Sequence, residues 1–174
     1  MWYSRQILLS DRFGVLGQNK LLLSSVLVIR AGGIGSTLLL FLAASGVGRI
    51  TAVDHDNAEV SNLHRKVINI KGRKGTNKAR SARDAMRDLN PTVSVTAVME
   101  PLTWDNTMEL VRVNNFVVDA SNNSRMWYLI NDTCVLAGRE PKMAAMANGV
   151  SGRGGGPLPL VSGSAMGTDG QLTV

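Results

Sequence analysis

Ser25-Val26-Leu27-Val28-Ile29-Arg30-Ala31-Gly32-Gly33-Ile34-Gly35-Ser36 opens the stretch that decides the fold. An apolar run continues it to Ala44, and Arg49-Ile50-Thr51-Ala52-Val53-Asp54 closes it. A β-branched run, a glycine-rich turn, a helix-like run and a second β-branched run ending in Asp form one βαβ unit. Such a turn brings backbone N–H groups to a helix N-terminus, where the dipole favours phosphate. An acidic residue about 20 residues beyond the turn can hydrogen-bond a ribose hydroxyl. Asp54 stands at that distance, so the chain is expected to carry a nucleotide site.

The turn departs from the G-x-G-x-x-G pattern at its first position, where Arg30 replaces glycine. Gly32 and Gly35 hold the later positions, and Gly33 adds freedom. Three roles are open to Arg30: straining the turn, filling the phosphate pocket, or offering the phosphates a charge.

Outward from this unit the pattern keeps alternating between strand and helix. Residues 14–23 read as a turn and a short helix leading into the first strand. The helix at 36–45 is apolar nearly all round, as burial against a sheet demands. Ser36 or Thr37 is expected to cap it, and Gly46 to end it. After Asp54 a polar segment begins, His55-Asp56-Asn57-Ala58-Glu59-Val60, and strand alternation would send Asp54 and Asp56 to opposite faces. His55 and His64 have no Cys or second His at ligand spacing and read as ordinary polar residues.

A basic loop at 71–80 runs into a helix with Thr76 as expected N-cap and Ala79, Ala82, Met86 and Leu89 on one face. Asn90-Pro91 stops it. Lys78 stands out, because a cation in a first helical turn opposes the dipole unless a phosphate lies close. Residues 93–98 alternate as a strand, Thr103 caps a helix through Trp104, Met108 and Val111, and residues 115–120 form another buried strand. Open α/β sheets bind ligands at the carboxyl ends of strands, which makes Asp119, Asn122 and Asn123 candidates. A helix at 125–136 holds Cys134 among Leu129, Ile130 and Leu136, an ordinary core setting. Residues 143–159 are rich in Ala, Met, Gly, Ser and Pro and read as a flexible insertion. Residues 160–164 and 170–174 read as strands around a turn, and the chain stops in the second of them.

The 174 residues are enough for one domain with a proper core. The expected fold is α/β: a Rossmann-like, doubly wound, mainly parallel sheet with helices on both faces. Apolar residues make up 44%, which excludes wholesale disorder. No apolar run reaches the length of a membrane span, and the N-terminus lacks a signal core, so a cytoplasmic location and no membrane partner are expected. The single cysteine excludes an internal disulfide and a cysteine-based zinc site within the chain. Net charge is +6, from 19 basic and 13 acidic residues, but aromatics are only 5% and the basic residues are spread, which argues against a nucleic-acid partner.

Several separated motifs together resemble the MoeB/ThiF superfamily of adenylating enzymes, which activate ubiquitin-like proteins. They are Tyr3-Ser4-Arg5-Gln6-Ile7-Leu8-Leu9, Ala31-Gly32-Gly33-Ile34-Gly35-Ser36, Gly46-Val47-Gly48-Arg49-Ile50, Ser61-Asn62-Leu63-His64-Arg65, Lys78-Ala79, Leu89-Asn90-Pro91 and Gly170-Gln171-Leu172-Thr173-Val174. The chain is most similar to the eukaryotic MoeB-like enzymes serving molybdopterin synthesis and tRNA thiolation. The resemblance implies a homodimer using ATP and Mg²⁺ to adenylate the C-terminal glycine of a ubiquitin-like sulfur carrier. It implies that Gly32, Gly33 and Gly35 approach the phosphates and that Asp54 holds the ribose. Ser61, Asn62, Leu63, His64, Arg65 and Lys78 would line the nucleotide, with Arg65 and Lys78 neutralising the triphosphate. Arg5 would act in the partner subunit's site, and Asn122 and Asn123 would lie at the phosphate end.

Two positions depart from the family pattern, Arg30 in the loop and Asn122 where the family has an Mg²⁺-binding Asp. An amide oxygen can ligate Mg²⁺ but brings no charge, so metal binding should weaken. The chain also ends before the family's paired CxxC motifs, so it is expected to be a truncated adenylation domain without a cysteine-dependent step. Arg30→Gly and Asn122→Asp, in a version extended beyond Val174, are expected to raise pyrophosphate exchange. Two other readings compete. One is a non-catalytic adenylation-like module that dimerises or binds a partner. The other is an NAD-dependent oxidoreductase, which the βαβ unit alone permits but which leaves Arg5, Arg65 and Lys78 without a role.

Overall fold

The computed structural model describes residues 2–9, 13–58, 68, 75–139, 158–166 and 169–173. Ser61, Asn62, Leu63, His64 and Arg65 lie outside the described residues, as does nearly all of the glycine-rich segment at 143–159.

The sheet grows from the opening unit. β1 (Ser25–Ile29) is buried along its whole length and pairs in parallel with β2 (Arg49–Val53) on one side and β4 (Phe116–Asp119) on the other. β3 (Ser94–Val98) extends the sheet beyond β2, and β5 (Leu160–Met166) extends it beyond β4. β6 (Asp169–Thr173) closes the far edge antiparallel to β5. The order β3-β2-β1-β4-β5-β6 has five parallel strands and reverses its direction of growth between β1 and β4. That reversal is the topological switch point, where the crossovers leave a crevice at the carboxyl ends of the strands.

Alternation along β1 divides two cores. Val26 and Val28 face α3 (Gly33–Ser45) and α4 (Lys78–Leu89), packing with Leu39, Ala43, Ala82 and Met86. Leu27 and Ile29 face the other way, into a cluster with Val111 of α5 (Trp104–Arg112) and with Ile130, Cys134 and Ala137 of α6 (Ser124–Arg139). A strand buried on both faces, with a helix layer on each, is the physical meaning of the unbroken apolar run at 25–29. Two short helices, α1 (Ser4–Ile7) and α2 (Gly14–Leu23), precede β1.

Local details differ from the sequence expectations in three places. α3 starts at Gly33, three residues early, so Ser36 and Thr37 lie inside the helix. Their hydroxyls donate back to the Gly33 carbonyl at 3.1 and 3.2 Å instead of capping. Asn77, not Thr76, caps α4, its Oδ1 accepting from Ala79 and Arg80 N–H at 2.9 and 3.2 Å. Leu89 closes that helix half-exposed, while Ala79, Ala82 and Met86 are fully buried. Other features are as expected. Gly46 ends α3 in the left-handed region, φ 85°, and Thr103 caps α5 in a reciprocal pair with Asn106.

Candidate nucleotide-binding site

The site is built where β1 and β2 end. Arg30 leaves β1 in the left-handed region, φ 73°, a conformation costing a non-glycine residue about 1–2 kcal/mol. Its N–H donates to Val53 O at 2.7 Å, tying the loop to the end of β2. A Cβ on Gly35 would stand 1.8 Å from the Arg30 carbonyl oxygen, so only glycine lets α3 fold back this tightly on the loop. Gly32 occupies the N-cap of α3 with no side chain capping it. Gly32, Gly33 and Gly35 therefore lie together in the loop and first turn, and the helix dipole points at the crevice.

Asp54 follows β2 and is 2% exposed. Its Oδ2 accepts from Ala31 N–H and its Oδ1 from Asp56 N–H, each at 2.9 Å. The carboxylate thus fixes the loop's shape; a hydrogen bond to a charged group contributes about 1.5–3 kcal/mol. Each oxygen keeps a second lone pair, which leaves it able to meet a hydroxyl.

Asp56 is not sent to the face opposite Asp54. The strand ends at Val53, so alternation stops and the chain turns. The Asp56 carboxylate then meets two cations on one oxygen: Lys78 Nζ donates to Oδ2 at 2.6 Å and Arg30 Nη2 donates to it at 2.9 Å. His55 Nε2 lies 3.3 Å from the other oxygen. The Lys78 hydrogen bond, joined by Arg30 and opposed by partial burial, holds the Asp56 carboxyl down at about 2. Asn77 assembles this corner. While capping α4, it donates through Nδ2 to the Asp54 and Asp56 carbonyls at 2.8 and 3.2 Å. Lys78 N–H donates to Asp56 O at 2.9 Å. Lys78 is thereby fixed in the first turn of α4, 8% exposed.

Asp119 ends β4 beside Ile29, its Oδ1 accepting from Ser121 N–H at 2.8 Å. Asn122 follows, exposed and in the left-handed region, φ 52°. Arg30 and Asn122 are the only non-glycine residues with positive φ among the described residues. Asn123 faces its own helix, its Oδ1 accepting from Arg125 N–H at 3.0 Å. Arg5 lies elsewhere. Tyr3, at the start of α1, packs its ring where a Cβ on Gly46 would stand, and its hydroxyl accepts from Asn90 Nδ2 at 2.8 Å. Gly46 and Asn90 mark the C-terminal ends of α3 and α4, whereas the loop and Lys78 sit at their N-termini. A 13-residue helix such as α3 is about 20 Å long, so Arg5 does not join the site of its own chain.

The fit to Mg²⁺ is poor among the described residues. The Asp54, His55 and Asp56 ligand atoms lie within 4.8 Å of one another. However, Asp54 is 2% exposed and Asp56 carries two cations. At the end of β4, Asp119 is 2% exposed and Asn122 is a neutral amide. Cys134 is buried in the core, where desolvation pushes its thiol up to about 11 and leaves it unreactive at neutral pH. Among the described residues, no helix is long and apolar enough to cross a membrane.

Asp56 and Asn77 are the residues that the sequence reading missed. The Lys78 signal pointed to them, since a buried ammonium in a first turn needs an anion, and Asp56 is the carboxylate the turn after β2 supplies. Comparison with known proteins agrees with the geometry. The pattern of the ThiF family matches residues 3–174. The chain is 44% identical over 172 residues to the adenylyltransferase and sulfurtransferase MOCS3 of Arabidopsis thaliana and to that of Mus musculus. The match covers 99% of this chain and 33% of each relative, so the chain spans about a third of their length. Among solved structures, the Escherichia coli tRNA N6-threonylcarbamoyladenosine dehydratase TcdA in complex with AMP superposes with a TM-score of 0.75 at 25% identity. That superposition covers 94% of this chain and 60% of TcdA.

Proposed function

The chain belongs to the ThiF family, and from that premise we propose that it adenylates the C-terminal glycine of a ubiquitin-like sulfur-carrier protein, in molybdopterin synthesis or tRNA thiolation. The glycine carboxylate attacks the α-phosphate of ATP. A carboxylate-to-phosphorus bond forms, the bond between α- and β-phosphates breaks, and pyrophosphate leaves with its electron pair. The protein's part is positioning and charge neutralisation rather than covalent work.

One observation carries this reading: Lys78, nearly buried, is fastened by Asn77 and Asp56 at the same strand edge as the glycine loop. In it the N–H groups at the start of α3 receive phosphate, Lys78 and Arg65 neutralise it, and Asp54 meets the ribose. Ser61, Asn62, Leu63 and His64 complete the nucleotide's surroundings, with Asn122 and Asn123 in the loop beyond β4, near its phosphate end. Arg5, being remote from the site of its own chain, acts on that of a second copy in a homodimer. Mg²⁺ would come bound to the ATP phosphates, where it would neutralise charge, and Asn122 would offer it only a neutral oxygen. The cytoplasm is the proposed location.

The test is ATP–pyrophosphate exchange by this chain with a sulfur carrier ending in Gly-Gly. Carrier-dependent exchange that Lys78→Ala lowers by at least about 100-fold, the size of a lost transition-state charge contact, supports adenylation. Tight carrier binding without exchange would favour the non-catalytic module, the reading that the poor metal donor set favours.

A further inference from the structure

Arg30 and Lys78 arrive from different elements, the end of β1 and the start of α4, yet both charged groups converge on one oxygen of Asp56. The three residues carry two positive charges against one negative. A single carboxylate cannot satisfy both cations: a guanidinium has five N–H donors and an ammonium three. Arg30 and Lys78 each have Asp56 as their one side-chain partner among the described residues. Arg30 follows β1 and stands two residues before Gly32, the N-cap of α3 that no side chain caps, and Lys78 opens α4. Arg30 also keeps a left-handed backbone that glycine would adopt without strain. A strained residue at the carboxyl edge of the sheet, its guanidinium converging with a second cation on one carboxylate oxygen, is a feature with a task.

We propose that Arg30 is a phosphate-binding residue for a nucleoside triphosphate, acting with Lys78 as a two-cation clamp, and that Asp56 holds the clamp together before the nucleotide arrives. The inference rests on the adenylation reading for the identity of the ligand. It assigns Arg30 a binding role in place of the loop damage that its absence of fit to the glycine pattern implies. The guanidinium's remaining donors meet phosphate oxygens in the forked geometry that Arg favours. Asp56 keeps its two hydrogen bonds throughout.

The experiment is calorimetric titration of ATP and of adenosine into the wild-type chain, Arg30→Gly and Arg30→Lys. Glycine accepts φ 73°, so Arg30→Gly removes the charge while relieving the backbone. Arg30→Lys keeps a point charge and the same backbone, and serves as the test should the glycine variant unfold. The clamp predicts that Arg30→Gly weakens ATP at least tenfold, that Arg30→Lys weakens it about threefold, and that adenosine affinity stays unchanged in both. It also predicts a shallower dependence of ATP affinity on salt in Arg30→Gly, since one cation fewer meets the phosphates. Equal or tighter ATP binding by Arg30→Gly, or faster pyrophosphate exchange, overturns the clamp while leaving adenylation standing. A folded wild-type chain that binds no ATP overturns adenylation and the clamp together.

Discussion

Asp56 concentrates the electrostatics of the strand edge in one carboxylate, held at about 2 by Lys78 first and Arg30 second. A carboxyl lowered in the folded state contributes stability that is complete above its unfolded value near 4 and is lost as pH falls towards 2. Asp56→Asn should therefore be less stable than wild type at pH 6 to 7, and the difference should shrink below about pH 4 and be lost as pH falls through about 2. The charged or titratable groups facing Asp56 are Arg30, Lys78 and His55. Urea unfolding at several pH values measures the change, and a difference independent of pH would contradict the assignment. Asn77 makes a second prediction. Asn77→Ala removes the cap of α4 and the two bonds to the Asp54 and Asp56 carbonyls, and should cost about 1–2 kcal/mol in thermal unfolding. Lys78 was legible because a cation in a first turn conflicts with the dipole. Asp56 was not, because strand alternation was carried past Val53, the last residue of β2.

Among the elements, the loop and α3 form one unit whose shape is set by the approach of Gly35 to the Arg30 carbonyl. Gly35→Ala puts a methyl 1.8 Å from that oxygen and must push the helix off the loop. It should destabilise the chain by about 1–3 kcal/mol, the usual cost of overpacking, and weaken ATP binding along with it. A variant as stable as wild type in thermal unfolding would show that the loop gives way freely. The glycines and the β-branched runs made this unit readable, because each enforces a backbone state on its own. The start of α3 at Gly33 was harder to read. Ser36 and Thr37 are common caps, but inside a helix their hydroxyls bond the preceding turn equally well, and the sequence does not distinguish the two uses. Thr76 and Asn77 are neighbouring residues of cap type, and only the contact with Asp54 and Asp56 selects the second.

Across the whole molecule, the sheet order places the loop, Asp54, Lys78 and the end of β4 around one switch point, while α1 docks at the far ends of α3 and α4. Local patterns gave the strands and every helix but α1 in order, whereas the strand pairing is set by the crossovers of the fold. The distance between Arg5 and the loop is a tertiary fact that no local pattern carries. If Arg5 serves a second copy, mixing Arg5→Ala chains with Lys78→Ala chains should restore exchange in mixed dimers, to about a quarter of wild type for freely mixing two-fold dimers. No recovery on mixing would place Arg5 outside catalysis. The claim on which all of this depends is that the strand edge is a triphosphate site. Thermal unfolding of the chain with ATP at about 100 times its Kd tests it most directly. The account predicts a gain of about 2.7 kcal/mol for wild type and none for Lys78→Ala at the same concentration. An equal gain in both chains, or none in wild type at millimolar ATP, would contradict it.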